Sequence, residues 1–399
     1  MSDLKTALVF GASGVTGWAM VNEIINDYPK KGTWKKVYAL TNRPLSREAS
    51  CWPDDPRLDI VSGIDLLQGS QDELEQVMKD KIKGVENITH VIYLAYKAQA
   101  DIAVELEENV AMFKRAMTAV DKLSPGLEFV VLQTGAKTYG CHLLDEHPTD
   151  YIHVPLREDM PRLRQPHHNQ LFYYPQLDWL AEFSAGGKTW GWCDTRPDII
   201  VGFVPNQNFY SLGSALGVYL SLWREKFGEG AEAPYPGSTR AWRAQSIDSS
   251  ADMIARQTLH VALAAPWSAR QGEAWNVADA RAPSSWEAKW PVMCAYFGLR
   301  GVKRPEDNPV EVRTFIKENM DLWRQMEAKY GLQSGHADSD RIFKGFEYFL
   351  LTLFNFDRQY DMSKMYDEAG FTEERSTKET WGGVWDRMRA AKIIPASFS

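Results

Sequence analysis

Three glycines spaced by three, Gly11-Ala12-Ser13-Gly14-Val15-Thr16-Gly17, follow the short apolar run Ala7 to Phe10 and precede an amphipathic stretch that reaches Ile25. A strand that passes through such a turn into a helix can hold a pyrophosphate. The glycines allow a tight turn and close backbone approach, and the helix start offers free N–H groups and the positive end of a dipole. This turn, with Ser13, Val15 and Thr16 between its glycines, is read as a dinucleotide site. The end of the second predicted strand, Ala39-Leu40-Thr41-Asn42-Arg43-Pro44, bears on which dinucleotide. An Asp or Glu there would bind a free ribose hydroxyl and repel a 2′-phosphate, whereas Asn42 is neutral and Arg43 can bond the phosphate. NADP(H) is the expected cofactor. Asp65-Leu66, closing the third predicted strand, falls where such folds meet the adenine, with a plain turn carboxylate as the equal alternative for Asp65.

Hydride chemistry on such a site commonly uses Tyr-x-x-x-Lys, which sets a phenol and an ammonium one helical turn apart. Two pairs match, Tyr93–Lys97 and Tyr360–Lys364, and about one match is expected by chance. Tyr93 lies in a predicted strand, whose period-2 geometry holds it too far from Lys97, and Tyr360 lies beyond the last predicted sheet strand. Neither pair is accepted. His167-His168 and His142, His147 and His153 lack metal-ligand spacing, so no metal site is expected. Glu105, Glu107 and Glu108 read as a solvated helix face. Gly187-Lys188-Thr189 is not a phosphate loop, because Glu182 stands where the motif needs its earlier glycine.

The elements around these residues alternate. Leu8 to Phe10, Val37 to Leu40, Leu58 to Val61, His90 to Leu94 and Phe129 to Leu132 are β-rich, with helix-compatible segments at Gln71–Lys81 and Val104–Lys122. Alternation of this kind predicts an α/β fold, a doubly wound parallel sheet covered by helices on both faces. Thr189 to Arg196 and Ile199 to Phe203 supply a further strand and the loop after it, and Ala274 to Val277 returns one more strand to the sheet. Past Pro205 aromatics become frequent, and helical patterns such as Val310–Tyr330 and Arg341–Asn355 dominate. The expected division is a nucleotide-binding domain, 1–205 plus about 240–280, with a smaller, mostly helical substrate-binding lid, about 206–239 plus 281–399. Trp223, Trp242, Trp275, Trp286 and Trp290 are expected in the core, and Phe354 and Phe356 on an apolar pocket.

Composition narrows the function classes. The chain of 399 residues carries 45 Lys+Arg against 53 Asp+Glu, a net charge of -8, which argues against nucleic acid or an anionic membrane as the main partner. No signal-peptide pattern and no long apolar window is found, and the four cysteines form no CxxC pair. A cytoplasmic protein with reduced thiols is expected. Oligomeric state is not legible, with a homodimer allowed.

Two remaining motifs, Leu132-Gln-Thr-Gly-Ala-Lys137-Thr-Tyr139-Gly140 and Leu171-Phe-Tyr173-Tyr174-Pro, resemble the progesterone 5β-reductase and iridoid synthase-like family of atypical short-chain dehydrogenases. The resemblance runs over nearly the whole chain, through Thr89-His-Val-Ile-Tyr, Pro161-Arg-Leu, Arg196-Pro-Asp-Ile-Ile-Val-Gly-Phe, Trp275-Asn-Val and Ala391-Lys-Ile-Ile-Pro. It implies a Rossmann-type fold and an NADPH-dependent reductase of a small apolar α,β-unsaturated carbonyl compound. Lys137 matches the lysine of the family's Thr-Gly-x-Lys motif, and Tyr173 matches its catalytic tyrosine. Gln133, Tyr96, Pro197 and Ile200 would approach the nicotinamide half of the cofactor, and Ala95 would be a further cofactor contact. Leu171 replaces the family's usual Asn, and Tyr96 its usual Trp. The separation of Lys137 and Tyr173 is longer than usual, which leaves Tyr174 and Tyr139 as alternative phenols. Direct ketone reduction, a redox-neutral cyclase or isomerase, and a non-catalytic NADP(H) sensor are the competing readings.

Overall fold

A computed structural model describes residues 4–206, 208, 210–264, 271–304, 311–337 and 345–398. Seven strands pair in parallel: β1 (Lys5–Phe10), β2 (Trp34–Thr41), β3 (Leu58–Ser62), β4 (His90–Tyr93), β5 (Phe129–Gln133), β6 (Gly191–Pro197) and β7 (Glu273–Val277), in the order 3-2-1-4-5-6-7. The order reverses between β1 and β4, so a crevice opens beyond their carboxyl ends.

Both faces of the sheet are covered, which explains why the strands read as continuous apolar runs. In β1, Ala7 and Val9 point into one buried cluster while Leu8 and Phe10 point into another. Helices α1 (Val15–Ile25) and α6 (Ala251–Leu263) pack together on the first face, and α2 (Gln71–Lys81), α3 (Ile102–Leu123) and α4 (Tyr173–Ala185) cover the second. Local chemistry sets their starts. Ser70 and Glu73 form a capping box on α2, and Asp101 accepts the Ala103 and Val104 amides at the start of α3.

The aromatic-rich region adds α5 (Leu212–Phe227), α7 (Trp286–Tyr296), α8 (Val312–Glu318), α9 (Met320–Tyr330) and α10 (Thr377–Ala390). Trp223, Trp242, Trp275, Trp286 and Trp290 are all buried, as expected from their role in packing. One short parallel ladder, Glu232–Pro234 with Arg300–Val302, joins these helices, and a second pairs Ile200–Val201 with Ser249–Ser250. The single helix expected over Val310–Tyr330 is two helices within the described residues, and residue 310 lies outside them. The break is Asn319, whose side-chain amide donates to the Phe315 carbonyl at 2.7 Å and competes with the helix ladder. Of the expected helix Arg341–Asn355, residues 341–344 lie outside the described residues. The rest is one turn, Phe346–Tyr348, continued by a π-turn, Phe349–Leu353.

Buried polar pairs anchor these later segments to the end of the sheet. Arg358 meets Asp198 at 2.9 Å, with both side chains at most 2% exposed. Lys289 meets Asp248 at 2.7 Å, and the Trp381 indole donates to the same carboxylate. The four cysteines are free, with Cys51 exposed and the others buried. No helix among the described residues is long and apolar enough to cross a membrane.

Candidate active site

Gly11 and Gly17 close the turn because nothing larger fits. A Cβ on Gly11, which has φ 77°, would lie 2.8 Å from the Leu94 carbonyl carbon, and one on Gly17 would lie 2.2 Å from the Gly11 oxygen. Gly14 caps α1 without a side chain, so the first-turn amides keep no local acceptor. Two buried acceptors face this turn unpaired. Gln133 approaches Thr16 through its amide nitrogen at 3.4 Å, and Asn206 donates to the Ser13 carbonyl at 2.8 Å, yet the side-chain oxygen of each has no partner. Leaving such a group unsatisfied costs about 1–3 kcal/mol. Glycine crowding and bare amides fit a bound pyrophosphate, whose oxygens only accept, and the two unpaired amide oxygens call for donors such as the hydroxyl or carboxamide groups of a nucleotide. Asn206 was not among the residues expected here, since only the folded chain brings its loop back onto the first turn.

At the neighbouring strand ends Asn42 and Arg43 are exposed, and the Arg43 guanidinium makes no hydrogen bond or ion pair among the described residues. The loop itself is fixed, because Thr41 Oγ1 donates to the Arg43 carbonyl at 2.7 Å. Asp65 accepts the Leu67 amide at 2.9 Å, the turn role allowed for it, and Leu66 is buried beside it. Ala95 stands at the carboxyl end of β4 against Gly11, Pro197 ends β6, and Ile200 lies on the short ladder that follows.

Lys137 occupies a 3₁₀ turn, Ala136–Tyr139, directly after β5, and Tyr173 is the first residue of α4. The Tyr173 hydroxyl stands beside Gly135, two positions before the lysine. A Cβ on Gly135 would lie 3.5 Å from the Tyr173 hydroxyl and 3.3 Å from the Pro197 carbonyl, so Gly135 clears the ground between them. Lys137 Nζ stands 5.7 Å from the Tyr96 ring centroid, and that ring stacks on Phe172 at 5.5 Å. Both alternative phenols are used structurally. Tyr174 donates to the Thr138 carbonyl at 3.0 Å and accepts the Leu163 amide at 2.9 Å, which pins α4 to the lysine turn. Tyr139 donates to Asn276 at 2.7 Å and accepts from Arg196 at 3.2 Å. The Tyr173 hydroxyl alone of the three has no hydrogen-bond partner among the described residues. Tyr93 is a buried strand residue, and Lys364 pairs with Glu273, so neither rejected Tyr-x-x-x-Lys match builds a site.

Glu105 departs from its expected solvated role. It accepts the Tyr96 hydroxyl at 2.5 Å, because Asn109 on α3 grips the Lys97 backbone at both its amide and its carbonyl and so folds the loop after β4 onto the helix. Burial, reinforced by Tyr210 and the Glu105 carboxylate, pushes the Tyr173 phenol well above its ordinary range, which keeps it a neutral donor. Burial also pushes the Lys137 ammonium down, and Glu105 opposes that shift. Removing the opposing charge in Glu105→Gln lowers the Lys137 pKa further. Any activity that needs the charged lysine is then expected to fall at lower pH than in the native protein, which a kcat/KM profile against pH would read directly.

A separate cleft of about 950 Å³ lies behind β6 and β7, bordered by Tyr174, Arg196, Glu273 and Lys364. Its cations are paired, as in Arg196–Asp194 and Lys364–Glu273, and neither Tyr173 nor Lys137 borders it.

A family model described as PRISE-like Rossmann-fold domain matches residues 7–395. The short chain dehydrogenase ausT of Aspergillus calidoustus is 36% identical, covering 98% of this chain and 94% of that protein. The 3-oxo-Delta(4,5)-steroid 5-beta-reductase of Arabidopsis thaliana is 28% identical, and the (S)-8-oxocitronellyl enol synthase ISY1 of Nepeta racemosa is 27% identical, each covering 98% of this chain and 93% of the other. Among solved structures, Bordetella bronchiseptica WbmH in complex with NAD+ shares the fold with a TM-score of 0.57 at 15% identity, over 97% of this chain and 99% of that one.

Proposed function

This chain belongs to the PRISE-like Rossmann-fold family, and from that premise we propose that it is an oxidoreductase that uses NADPH to reduce an apolar α,β-unsaturated carbonyl compound at its β-carbon. The observation that carries the reading is the Tyr173 hydroxyl, neutral, beside Gly135 of the turn that leads to Lys137, and without a hydrogen-bond partner among the described residues, while Tyr139 and Tyr174 are committed elsewhere. The names of two relatives, a 3-oxo-Δ4,5-steroid 5β-reductase and an enol synthase, support an enone or enol centre.

The glycine turn with Ser13 and Thr16, braced by Asn206, would hold the pyrophosphate side of the nucleotide, Arg43 its 2′-phosphate, Gln133 would approach its nicotinamide half, and Lys137 would bind its nicotinamide ribose. When bound, NADPH supplies the hydride. Tyr173 donates a hydrogen bond to the substrate carbonyl oxygen and stabilises the negative charge that gathers there as the β-carbon is reduced. Its raised pKa suits that role, since a phenol that stays protonated remains a donor. Lys137 adds a positive charge near the same oxygen, with the Tyr96 ring, stacked on Phe172, beside it.

The direct test is NADPH consumption with steroidal, monoterpenoid and small cyclic enones, with product identification. A saturated carbonyl product is expected. An allylic alcohol would reassign the site to direct carbonyl reduction, and tight nucleotide binding without oxidation across the panel would make the chain a nucleotide sensor. Cofactor choice is tested separately. Arg43→Ala removes a charge-assisted contact of about 1.5–3 kcal/mol, so the KM for NADPH is expected to rise roughly 10- to 100-fold with little change for NADH.

A further inference from the structure

Three histidines left without a role collect beside Lys137. His142 follows the lysine turn on the 3₁₀ segment Cys141–Glu146, and its closest electrostatic neighbours are Lys137, His167 and His147. Nδ1 of His142, Nδ1 of His167 and both ring nitrogens of His147, which lies against the Tyr139 backbone, are buried without a hydrogen bond of normal geometry. Buried polar groups are satisfied in the large majority of cases, so several unsatisfied imidazole nitrogens in one place ask for a partner. Leu144, within the same segment, holds φ 49° and ψ -110°. A non-glycine residue in so sparsely populated a conformation costs about 1–3 kcal/mol and marks a segment whose shape is enforced from outside.

His147 also joins a run of ring contacts. The His147 ring lies 5.0 Å from Phe356, and ring contacts continue from Phe356 to Phe354, Phe349, Phe346 and Tyr210, then to Tyr96 over Lys137. The run is apolar and leads from the imidazole of His147 to the ring over Lys137. No group of three or more His, Cys, Asp or Glu side chains placed to hold a metal occurs among the described residues.

We propose that His142 and His147 form a polar subsite that hydrogen-bonds a hydroxyl on the end of the substrate remote from the reacting carbonyl, so that the substrate is a hydroxylated enone. This rests on the reductase reading and narrows its substrate class. Burial first, and then the Lys137 charge, hold His142 down to about 3, and burial lowers His147 as well, so both rings are neutral. A neutral imidazole offers one donor and one acceptor. A hydroxyl, which is also both, answers that pattern, whereas a carboxylate would need two donors or a charged ring.

The probes are two pairs that differ by one hydroxyl, androst-4-en-3-one with its 17β-hydroxy derivative and geranial with its 8-hydroxy derivative. Binding to the NADP+-loaded protein by calorimetry and kcat/KM with NADPH are both measured. The native protein is expected to favour the hydroxylated member of at least one pair by about ten-fold or more, because a site built to bond a hydroxyl discriminates against its absence. His142→Leu is expected to bring that ratio to near one, and His142→Gln, which keeps a donor and an acceptor, to restore most of it, with thermal unfolding followed for all three. Equal binding of both members of each pair, no binding of either, or a preference that survives His142→Leu in a folded variant overturns the subsite. Hydroxyl-dependent binding without NADPH oxidation would instead retain the subsite and remove the reductase reading.

Discussion

Tyr173→Phe is expected to lower kcat for an accepted enone by about 10²–10³-fold, the range found when one donor to a developing oxyanion is removed, with nucleotide affinity unchanged. The substitution deletes one oxygen that bonds nothing else among the described residues, so the fold should not register it. The control is its neighbour. Tyr174→Phe breaks bonds to the Thr138 carbonyl and the Leu163 amide, and is expected to destabilise by about 1–3 kcal/mol while leaving the chemical step largely in place. If the two variants exchanged behaviours, with Tyr174→Phe inactive and Tyr173→Phe active, the phenol would have been assigned wrongly. Stopped-flow single turnovers alongside thermal unfolding separate the two cases.

The largest expected effect on stability is at Arg358. Its guanidinium and the Asp198 carboxylate are paired at 2.9 Å almost without solvent, and the guanidinium also lies 4.6 Å from the Phe354 ring centroid. Removing one member of such a pair leaves the other charge buried and uncompensated, so Arg358→Met is expected to cost about 3–5 kcal/mol, read as a lower urea midpoint. Burial already raises the Asp198 pKa and Arg358 opposes that rise. Without Arg358 the carboxyl rises further and is more easily neutralised by a proton. The penalty is therefore greatest at high pH and shrinks as pH falls through the raised value. Asp198→Leu added to Arg358→Met should recover much of the loss, because the orphaned charge goes with it. An unchanged double variant would point to lost packing against Phe354 instead.

The fold was legible where local chemistry and tertiary demand agree. Residues Gln71–Lys81 form the expected helix because Ser70 and Glu73 supply a capping box in the sequence itself, and the strand runs stand out because both faces of the sheet are buried. The expected helix over Val310–Tyr330 was broken by a single asparagine whose back-bond to Phe315 leaves no periodic trace. At the site, the glycine turn could be read from spacing, whereas Tyr173 could be reached only through family resemblance. The proposed choice of it over Tyr139 and Tyr174 depends on partners 11 to 137 residues away in sequence from those two phenols. Glu105 looked solvated because its neighbours Glu107 and Glu108 are charged, and the contact that turns it inward comes from Tyr96 on another loop. The histidines carried no ligand spacing, and their meeting beside Lys137 exists only in three dimensions.

The Asn206 side chain is anchored on the Ser13 carbonyl, and Tyr210, four positions on in the chain, meets the rings of Tyr96 and Phe346. A molecule settling beside either residue therefore acts close in sequence to a residue that lines the other place. Thermodynamic reciprocity then requires that whatever the first occupant does to the second's affinity, the second does to the first by the same factor.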